Sequence, residues 1–236
     1  MILKNLTPAL ELKNLQLQLA KTKANPACFV AGTLIHTKNG LVPIEQIKVG
    51  DWVLSQPEDK GELSYKPVTR TFVHESNDLF LIGLGCYSED REKIPNFVAV
   101  KEIAGKKCYL GREWIVATGG HPFFTKEKGW VAAGDLPWTG LHLELVNGLD
   151  ADAGWVTKIF QTEAPALGWS PRDPGGEKLR HGDGYTVDFG NDGFKFEHSD
   201  CAPKAEWDFD LGQPMFRTVY NFEVADNHTY YVGTLA

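Results

Sequence analysis

The hydrophobic pattern of the chain changes character at residue 28. Before that point, leucines recur at the three- and four-residue spacing of a helix from Leu12 to Leu19. From residue 28 onward, short β-branched and aromatic runs alternate with Gly, Pro and Asn-Gly turns, a pattern typical of β-strands. The pattern predicts a short helical leader, residues 1–27, followed by an all-β domain, residues 28–236.

One stretch of the β region, residues 161–215, is interrupted by frequent prolines and glycines. Within it, Tyr185–Phe189 and Phe194–Phe196 are strand-like and flank a Gly-Asn-Asp-Gly turn, which predicts one hairpin. Such long stretches inside a compact domain are usually functional or disordered. We interpret this one as an insertion within the domain, and its simplest role is that of a surface hairpin.

Two short turns resemble each other in the two halves of the β region. Gly50-Asp51 follows the segment Ile47–Val49, and Gly134-Asp135 follows the segment Gly129–Ala133. The similarity predicts a weak internal duplication.

Composition places the chain among ordinary globular proteins. Its 236 residues are 42% hydrophobic and 23% charged, enough to bury a substantial core. The net charge of -7 argues against a nucleic-acid-binding surface, because phosphate binding favours a basic face. The longest apolar runs are too short for a membrane-spanning helix. Charged residues and glutamines interrupt the N-terminal leucines, so the pattern does not predict a signal peptide.

The spacing of the four cysteines does not predict a disulfide framework. None of Cys28, Cys86, Cys108 and Cys201 lies in a C-x-x-C pair, so we predict neither a zinc site nor any other metal or cofactor. A Cys86–Cys108 disulfide stays open, because nothing in the spacing demands it or forbids it.

Cys28 stands where the leader meets the first strand. Pro26 disfavours helix at the residue before it, and an apolar, β-branched run begins at Thr33. A thiol in this place can attack the carbonyl of its own upstream peptide, Ala27-Cys28. The alternative is that Cys28 is simply a small core hydrophobe.

His121 is the candidate proton donor for such a reaction. It follows Gly119-Gly120, a pair that permits close backbone approach, and its reference pKa of about 6.5 suits proton transfer near neutrality. Thr118, three residues earlier, offers a hydroxyl group to the same peptide.

Four stretches in this order resemble the Hint family, the self-cleaving domain of inteins and hedgehog-type proteins. They resemble especially the bacterial intein-like domains and the pretoxin Hint domains of polymorphic toxins. The resemblance implies a horseshoe-like, pseudo-twofold all-β fold with an inserted hairpin. The stretches are Cys28–Ile35, Gly50–Val53, Thr118–Phe123, and Val219–Val224 with His228–Gly233.

The resemblance also implies roles for individual residues. Thr118 and His121 match the family's pair that contacts the scissile peptide. Asn221 stands where many inteins carry an aspartate that moves a proton on or off the first cysteine, a task that an amide does not perform. His228 matches the histidine that assists cleavage at the C-terminal end. Because the last residues, from Gly233, lack the family's His-Asn end, we expect cleavage and no splicing.

The resemblance therefore implies autocatalytic cleavage in cis at Ala27-Cys28. An N-to-S acyl shift would give a thioester that water or a thiol resolves. The partners are the chain's own flanking segments, the domain acts as a monomer, and it has no turnover in trans. The setting would be a bacterial protein made in the cytoplasm, with its destination open, in which the domain processes the secreted toxin or surface protein to which it belongs.

Two alternatives remain at this stage. A thiol protease acting in trans is disfavoured, because Cys28-Phe29-Val30-Ala31 does not match the C-G-[SA]-C-[WY] sequence of papain-like enzymes. A catalytically weak or inactive Hint scaffold, retained as an interaction module, is the stronger alternative.

Overall fold

β-Strands make up nearly all the regular structure of the described chain. The computed structural model describes residues 27–57, 61–94, 96–172, 182–190, 193–202 and 212–235. In these ranges helical structure is limited to the single 3₁₀ turns Ile44–Gln46, Arg91–Lys93 and Ala133–Asp135. The predicted all-β class is confirmed, whereas the predicted leader helix lies outside the described residues. None of the described helices is long and apolar enough to cross a membrane.

The described strands are mostly short, and five of them have eight residues or more. In chain order they are β1 Phe29–Val30, β2 Leu34–Thr37, β3 Gly40–Pro43, β4 Trp52–Ser55, β5 Ser64–Ser76, β6 Leu79–Ser88, β7 Ala99–Ile103, β8 Lys106–Thr118, β9 Pro122–Thr125, β10 Gly129–Ala132, β11 His142–Glu144, β12 Asp150–Lys158, β13 Phe160–Gln161, β14 Leu167–Pro171, β15 Gly184–Asp188, β16 Lys195–Ser199 and β17 Arg217–Val224.

Most of these strands join one antiparallel sheet. Its order is β10-β9-β11-β12-β6-β8-β1-β17-β5-β4-β2-β3, with β7 paired to β8. The two-residue strand β1 is held at the centre, where Phe29 pairs with Ala117 of β8 and with Tyr220 of β17. This register brings Thr118 and Asn221, the next residues of those two strands, beside Cys28.

Side-chain alternation along β1 divides its neighbours between two apolar clusters. Phe29 belongs to the cluster that also holds Ile115 and Phe222. Cys28 and Val30 belong to a second cluster on the opposite face. Because successive side chains of a strand point to opposite faces, the Cys28 side chain faces away from the Phe29 cluster.

The internal duplication is visible in matching turns. The Thr37 hydroxyl donates to the carbonyl of Gly40 at 2.7 Å, and the Thr125 hydroxyl donates in the same way to Gly129 at 2.9 Å. Each threonine ends the first strand of a hairpin, β2-β3 or β9-β10. A 3₁₀ turn follows directly after each hairpin.

Backbone hydrogen bonds fix the register of this duplication. The N–H of Ile44 donates to Thr33 in the first half, and the N–H of Ala133 donates to His121 in the second, both at 2.8 Å. Thr33 is therefore the first-half counterpart of His121. The two Gly-Asp turns are not counterparts, because Gly50-Asp51 leads into β4 whereas Gly134-Asp135 lies inside a 3₁₀ turn.

The insertion forms a larger unit than a hairpin. The predicted hairpin is present as β15 and β16, with Tyr185 opposite His198. It continues into a separate antiparallel sheet of order β13-β14-β15-β16, in which Trp169 of β14 is fully buried. A buried tryptophan in the described part of this sheet shows that the insertion has a packed interior.

Candidate functional site

The amide of the Ala27-Cys28 peptide is held by Thr118. The Cys28 N–H donates to the Thr118 hydroxyl at 3.0 Å, and the Thr118 N–H donates to the Cys28 carbonyl at 2.9 Å. Thr118 is fully buried at the end of β8. Because β8 pairs with β1 and also ends at Thr118, the hydroxyl has a fixed position beside the peptide nitrogen.

The carbonyl of the same peptide is held from the other side by Asn221 of β17. The Asn221 side-chain amide donates to the Ala27 carbonyl oxygen at 2.5 Å. Its own oxygen accepts hydrogen bonds from the Tyr230 phenol at 2.6 Å and from the Phe222 N–H at 2.7 Å. Since both of these partners are donors there, they fix the amide with its NH₂ group toward Ala27.

His121 lies in an apolar setting beside the peptide. Its ring centroid is 4.0 Å from that of Phe29 and 5.3 Å from that of Phe123. Burial lowers the pKa of His121 to about 3, and a hydrogen bond with the Ala27 backbone acts in the opposite direction. The imidazole is therefore neutral near pH 7. Its Nδ1 atom is buried and has no hydrogen-bond partner among the described residues.

The Cys28 thiol is enclosed on the other face of β1. Cys28 is 1% exposed, and burial raises the pKa of its thiol to about 12. The pKa of Tyr230 is raised first by burial and second by the charge of a Cys28 thiolate. At neutral pH the thiol is protonated, so its attack on a carbonyl would require removal of that proton.

A cavity of about 260 Å³ opens on the carbonyl side of the peptide. His121 and Asn221 line it together with Ala27, and most of the remaining wall is apolar. That wall includes Phe123, Phe124, Trp130, Leu143 and Leu145. Neither Cys28 nor any member of its apolar cluster is among the residues that line this cavity.

His228 lies at the edge of this arrangement. It lines the same cavity but is exposed, with a left-handed backbone at φ 56°. The nearby Asp226 pairs with Lys66, whose hydrogen bond and charge lower the pKa of that carboxyl. The structure thus brings Cys28, Thr118, His121 and Asn221 to one peptide and leaves His228 at the cavity rim.

Sequence reasoning missed Tyr230 as a site residue. It belongs to the His228–Gly233 stretch, but nothing in that pattern indicates that its phenol reaches the Asn221 amide. All four cysteines are free, so the open Cys86–Cys108 disulfide is not formed. Among the described residues, no group of three or more His, Cys, Asp or Glu side chains is placed to hold a metal ion.

Comparisons with known proteins agree with the family resemblance. Residues 34–99 match a family model described as the pretoxin HINT domain. No curated protein sequence matches the chain. The match confirms the resemblance to the Hint family over those residues.

Solved structures similar to the chain include bacterial intein and intein-like domains. One is a bacterial intein-like domain from Clostridium thermocellum, with 26% identity over 87% of this chain and 92% of that one, at a TM-score of 0.46. Another is a DnaB intein from Synechocystis sp. PCC 6803, with 12% identity over 87% and 92% of the two chains, at a TM-score of 0.41.

Proposed function

We propose that this chain, which matches the Hint family, carries an autoprocessing domain that cuts its own backbone at Ala27-Cys28. The observation that supports the proposal is the double hold on that peptide. Asn221 donates to its carbonyl at 2.5 Å, and the Thr118 hydroxyl accepts from its N–H at 3.0 Å. Backbone pairing between strands does not by itself require a polar side chain from each of two strands, far apart in sequence, to bond the same peptide.

In the first step, the Cys28 sulfur attacks the Ala27 carbonyl carbon through a five-membered ring. Negative charge develops on the carbonyl oxygen, where the Asn221 amide donates its hydrogen bond. A donor already directed at an oxyanion is worth about 10²–10³ in rate. The C–N bond then breaks, the acyl group passes to sulfur, and the Cys28 nitrogen becomes a free amine.

Proton balance assigns His121 its role in this step. The thiol loses one proton and the departing nitrogen gains one, so the step takes up no proton overall. The Cys28 sulfur faces the cluster on the other side of β1, so its proton passes to water, while neutral His121, on the cavity side beside Ala27, relays a proton from water to the nitrogen. A positioned histidine of this kind contributes roughly 10²–10⁴ in rate. The burial of His121 favours the neutral form that such a transfer requires.

In the second step, water or a thiol attacks the thioester carbon from the cavity. The C–S bond breaks, the acyl group passes to the attacking atom, and Cys28 regains its thiol proton. The product is an upstream segment, residues 1–27 in this chain, released from the domain. The family model's pretoxin description supports a setting in which a secreted bacterial toxin or surface protein is processed.

The burial of the nucleophile favours a second candidate function. A thiol with a pKa of about 12 is a poor nucleophile until it is deprotonated, which fits a catalytically weak scaffold. The same burial disfavours a protease acting in trans, because a side chain that is 1% exposed cannot meet a foreign peptide.

Intact mass of the purified chain over time distinguishes the two candidates. With and without dithiothreitol, the parent should lose residues 1–27 and thiol should accelerate the loss. Cys28→Ala should retain its full mass under the same conditions. A parent that stays intact for days with thiol present would reject cleavage and leave the scaffold function.

A further inference from the structure

The inserted sheet shares an apolar cluster with Cys28. The apolar cluster that contains Cys28 also contains Val187 of β15, which is fully buried. Phe189 and Phe194, on either side of the insertion's turn, pack against the same cluster. The described residues of the insertion thus complete the apolar cluster that contains Cys28, which a hairpin lying only on the surface would not do.

The end of the insertion's hairpin also packs on the turn that follows β1, four residues after Cys28. A Cβ atom added to Gly32 would lie 2.2 Å from the Cα atom of Gly193, far inside any permitted contact. Gly32 has φ +83°, a conformation that other residues rarely adopt. The turn that follows β1 and the hairpin of the insertion therefore pack backbone against backbone.

Buried polar contacts fasten the inserted sheet to the main sheet. The Ser170 hydroxyl of β14 is 2.5 Å from the Thr157 hydroxyl of β12, and both residues are buried. The Trp155 indole N–H donates to the same Ser170 oxygen at 3.2 Å. Since Trp155 belongs to the cluster of Cys28, these contacts tie the insertion to the wall around the thiol.

We propose that the inserted sheet is part of the active site and closes the Cys28 face of β1, so that attacking groups reach the thioester only through the cavity. The inserted sheet would then determine which water or thiol molecules resolve the intermediate. The statement about the thioester rests on the proposed function, whereas the closed wall itself does not.

Alternation along β1 supports the separation of the two faces. Phe29, which follows Cys28, lines the cavity, whereas Cys28 and Val30 face the cluster that the insertion completes. The carbonyl carbon is thus open to the cavity while the sulfur is covered from the insertion. Val187 is accordingly a positioning residue that acts on the access route, without a role in proton transfer.

Chemical modification of Cys28 tests the wall without any need for cleavage. The chain would carry Cys201→Ser, which removes the exposed cysteine. Methyl methanethiosulfonate transfers a methylthio group to a thiol and releases methanesulfinate. Chain that has not cleaved itself is then digested, and peptide mass spectrometry measures the extent of modification at each cysteine. Val187→Ala should raise the modification rate of Cys28 about tenfold, because local opening becomes easier.

Two controls distinguish easier access to Cys28 alone from easier opening of the whole fold. Thr186→Ala lies next to Val187 on the same strand, where the threonine hydroxyl donates to Glu197 on the exposed side, so Cys28 should keep its parental modification rate. Cys86 is also 1% exposed but belongs to the other apolar cluster, so its rate should not change in either variant. If near-ultraviolet circular dichroism shows that Val187→Ala is unfolded, Phe194→Ala takes its place with the same expected outcome.

Equal modification of Cys28 in the parent, the wall variant and Thr186→Ala would overturn the proposal. Equal acceleration at Cys28 and Cys86 would overturn it as well, since it would show general loosening. A second readout, dithiothreitol-dependent cleavage, should accelerate in Val187→Ala when a second access route opens. A parent that never cleaves would reject the proposed function, while the modification rates would still decide whether the wall exists.

Discussion

The Tyr230 phenol donates a 2.6 Å hydrogen bond to the same Asn221 amide whose opposite end donates to the Ala27 carbonyl. The two bonds form a chain in which each polarises the next, and such chains strengthen in a low-dielectric setting. The phenol therefore both orients the amide and makes its NH₂ group a stronger donor. Tyr230 therefore acts on the Ala27 carbonyl through Asn221.

Removing only the phenol oxygen tests this relay. In Tyr230→Phe the ring contacts with Phe29 and Phe222 should persist. Loss of one hydrogen bond, about 0.5–1.5 kcal/mol, should slow cleavage roughly two- to tenfold. Rates come from intact-mass time courses with excess thiol. In an Asn221→Ala background the same change should have no further effect, and a full additive loss there would contradict the relay.

Asn221 itself should be more sensitive. Asn221→Ala removes the donor to the Ala27 oxygen and should slow cleavage by about 10²–10³, the typical loss for one oxyanion donor. Asn221→Asp keeps the shape but replaces the donor with a carboxylate, so it should also be slow. An aspartate variant that cleaves faster than the parent would show that thiol activation limits the rate and that oxyanion stabilisation does not.

Thr118 offers a matched pair of substitutions. Thr118→Val keeps the shape but leaves the Cys28 N–H buried without its acceptor, which should destabilise the fold by about 1–3 kcal/mol. Thr118→Ser keeps the hydroxyl and should lie much closer to the parent. Urea unfolding measures stability, and thiol-dependent cleavage measures activity. If the serine and valine variants cleave equally slowly, the methyl group is the feature that matters and the hydroxyl is not.

Acid should weaken the fold through His121. Its pKa is about 3 in the folded chain and about 6.5 when unfolded, so between these values the unfolded chain binds the additional proton. The free energy of unfolding should therefore fall as the pH drops from about 6.5 toward about 3, by up to ~1.4 kcal/mol per pH unit. Urea titrations at several pH values in a Cys28→Ala background, which prevents cleavage, measure this slope.

A second variant isolates the contribution of His121. His36 has a lowered pKa for the same reason, burial, and contributes in the same direction, so the informative quantity is the difference between two chains. His121→Gln in the Cys28→Ala background should reduce by one the number of protons taken up on unfolding, so the free energy of unfolding should depend less steeply on pH. The contribution of His36 stays the same in both chains. Parallel pH dependences in the two chains would mean that His121 is accessible to protons in the folded state.

The sequence was most informative where the signal is local. The strand-like runs predict the all-β class. The three-residue interval between Thr118 and His121 predicts that the two residues lie close together, and in the structure the His121 N–H donates to the Thr118 carbonyl at 2.9 Å. By contrast, the role of Asn221 depends on pairing between β1 and β17. Its hydrogen bond spans 194 residues, and no local pattern encodes the direction of an amide across that distance.

The insertion shows a second limit of local patterns. The strand β14, Leu167–Pro171, contains glycine, serine and proline, which all have low strand propensity. Burial of Trp169 and Ser170 against β12 and β15 overrides that propensity. The pattern therefore predicts only the hairpin β15-β16 and misses β13 and β14, the second of which attaches the insertion to β12 of the main sheet.

The central place of β1 has a consequence for the timing of the proposed self-cleavage during synthesis. Its two neighbours in the sheet lie about 90 and 190 residues further along the chain, as the hydrogen bonds of Thr118 and Asn221 show. A ribosome adds roughly 5–20 residues per second, so Asn221 emerges many seconds after Cys28. Until then the peptide bond lacks the group that holds its carbonyl. If the chain cleaves itself as proposed, the Ala27-Cys28 bond is protected until then by chain order alone, and the upstream segment leaves the ribosome still attached to the domain.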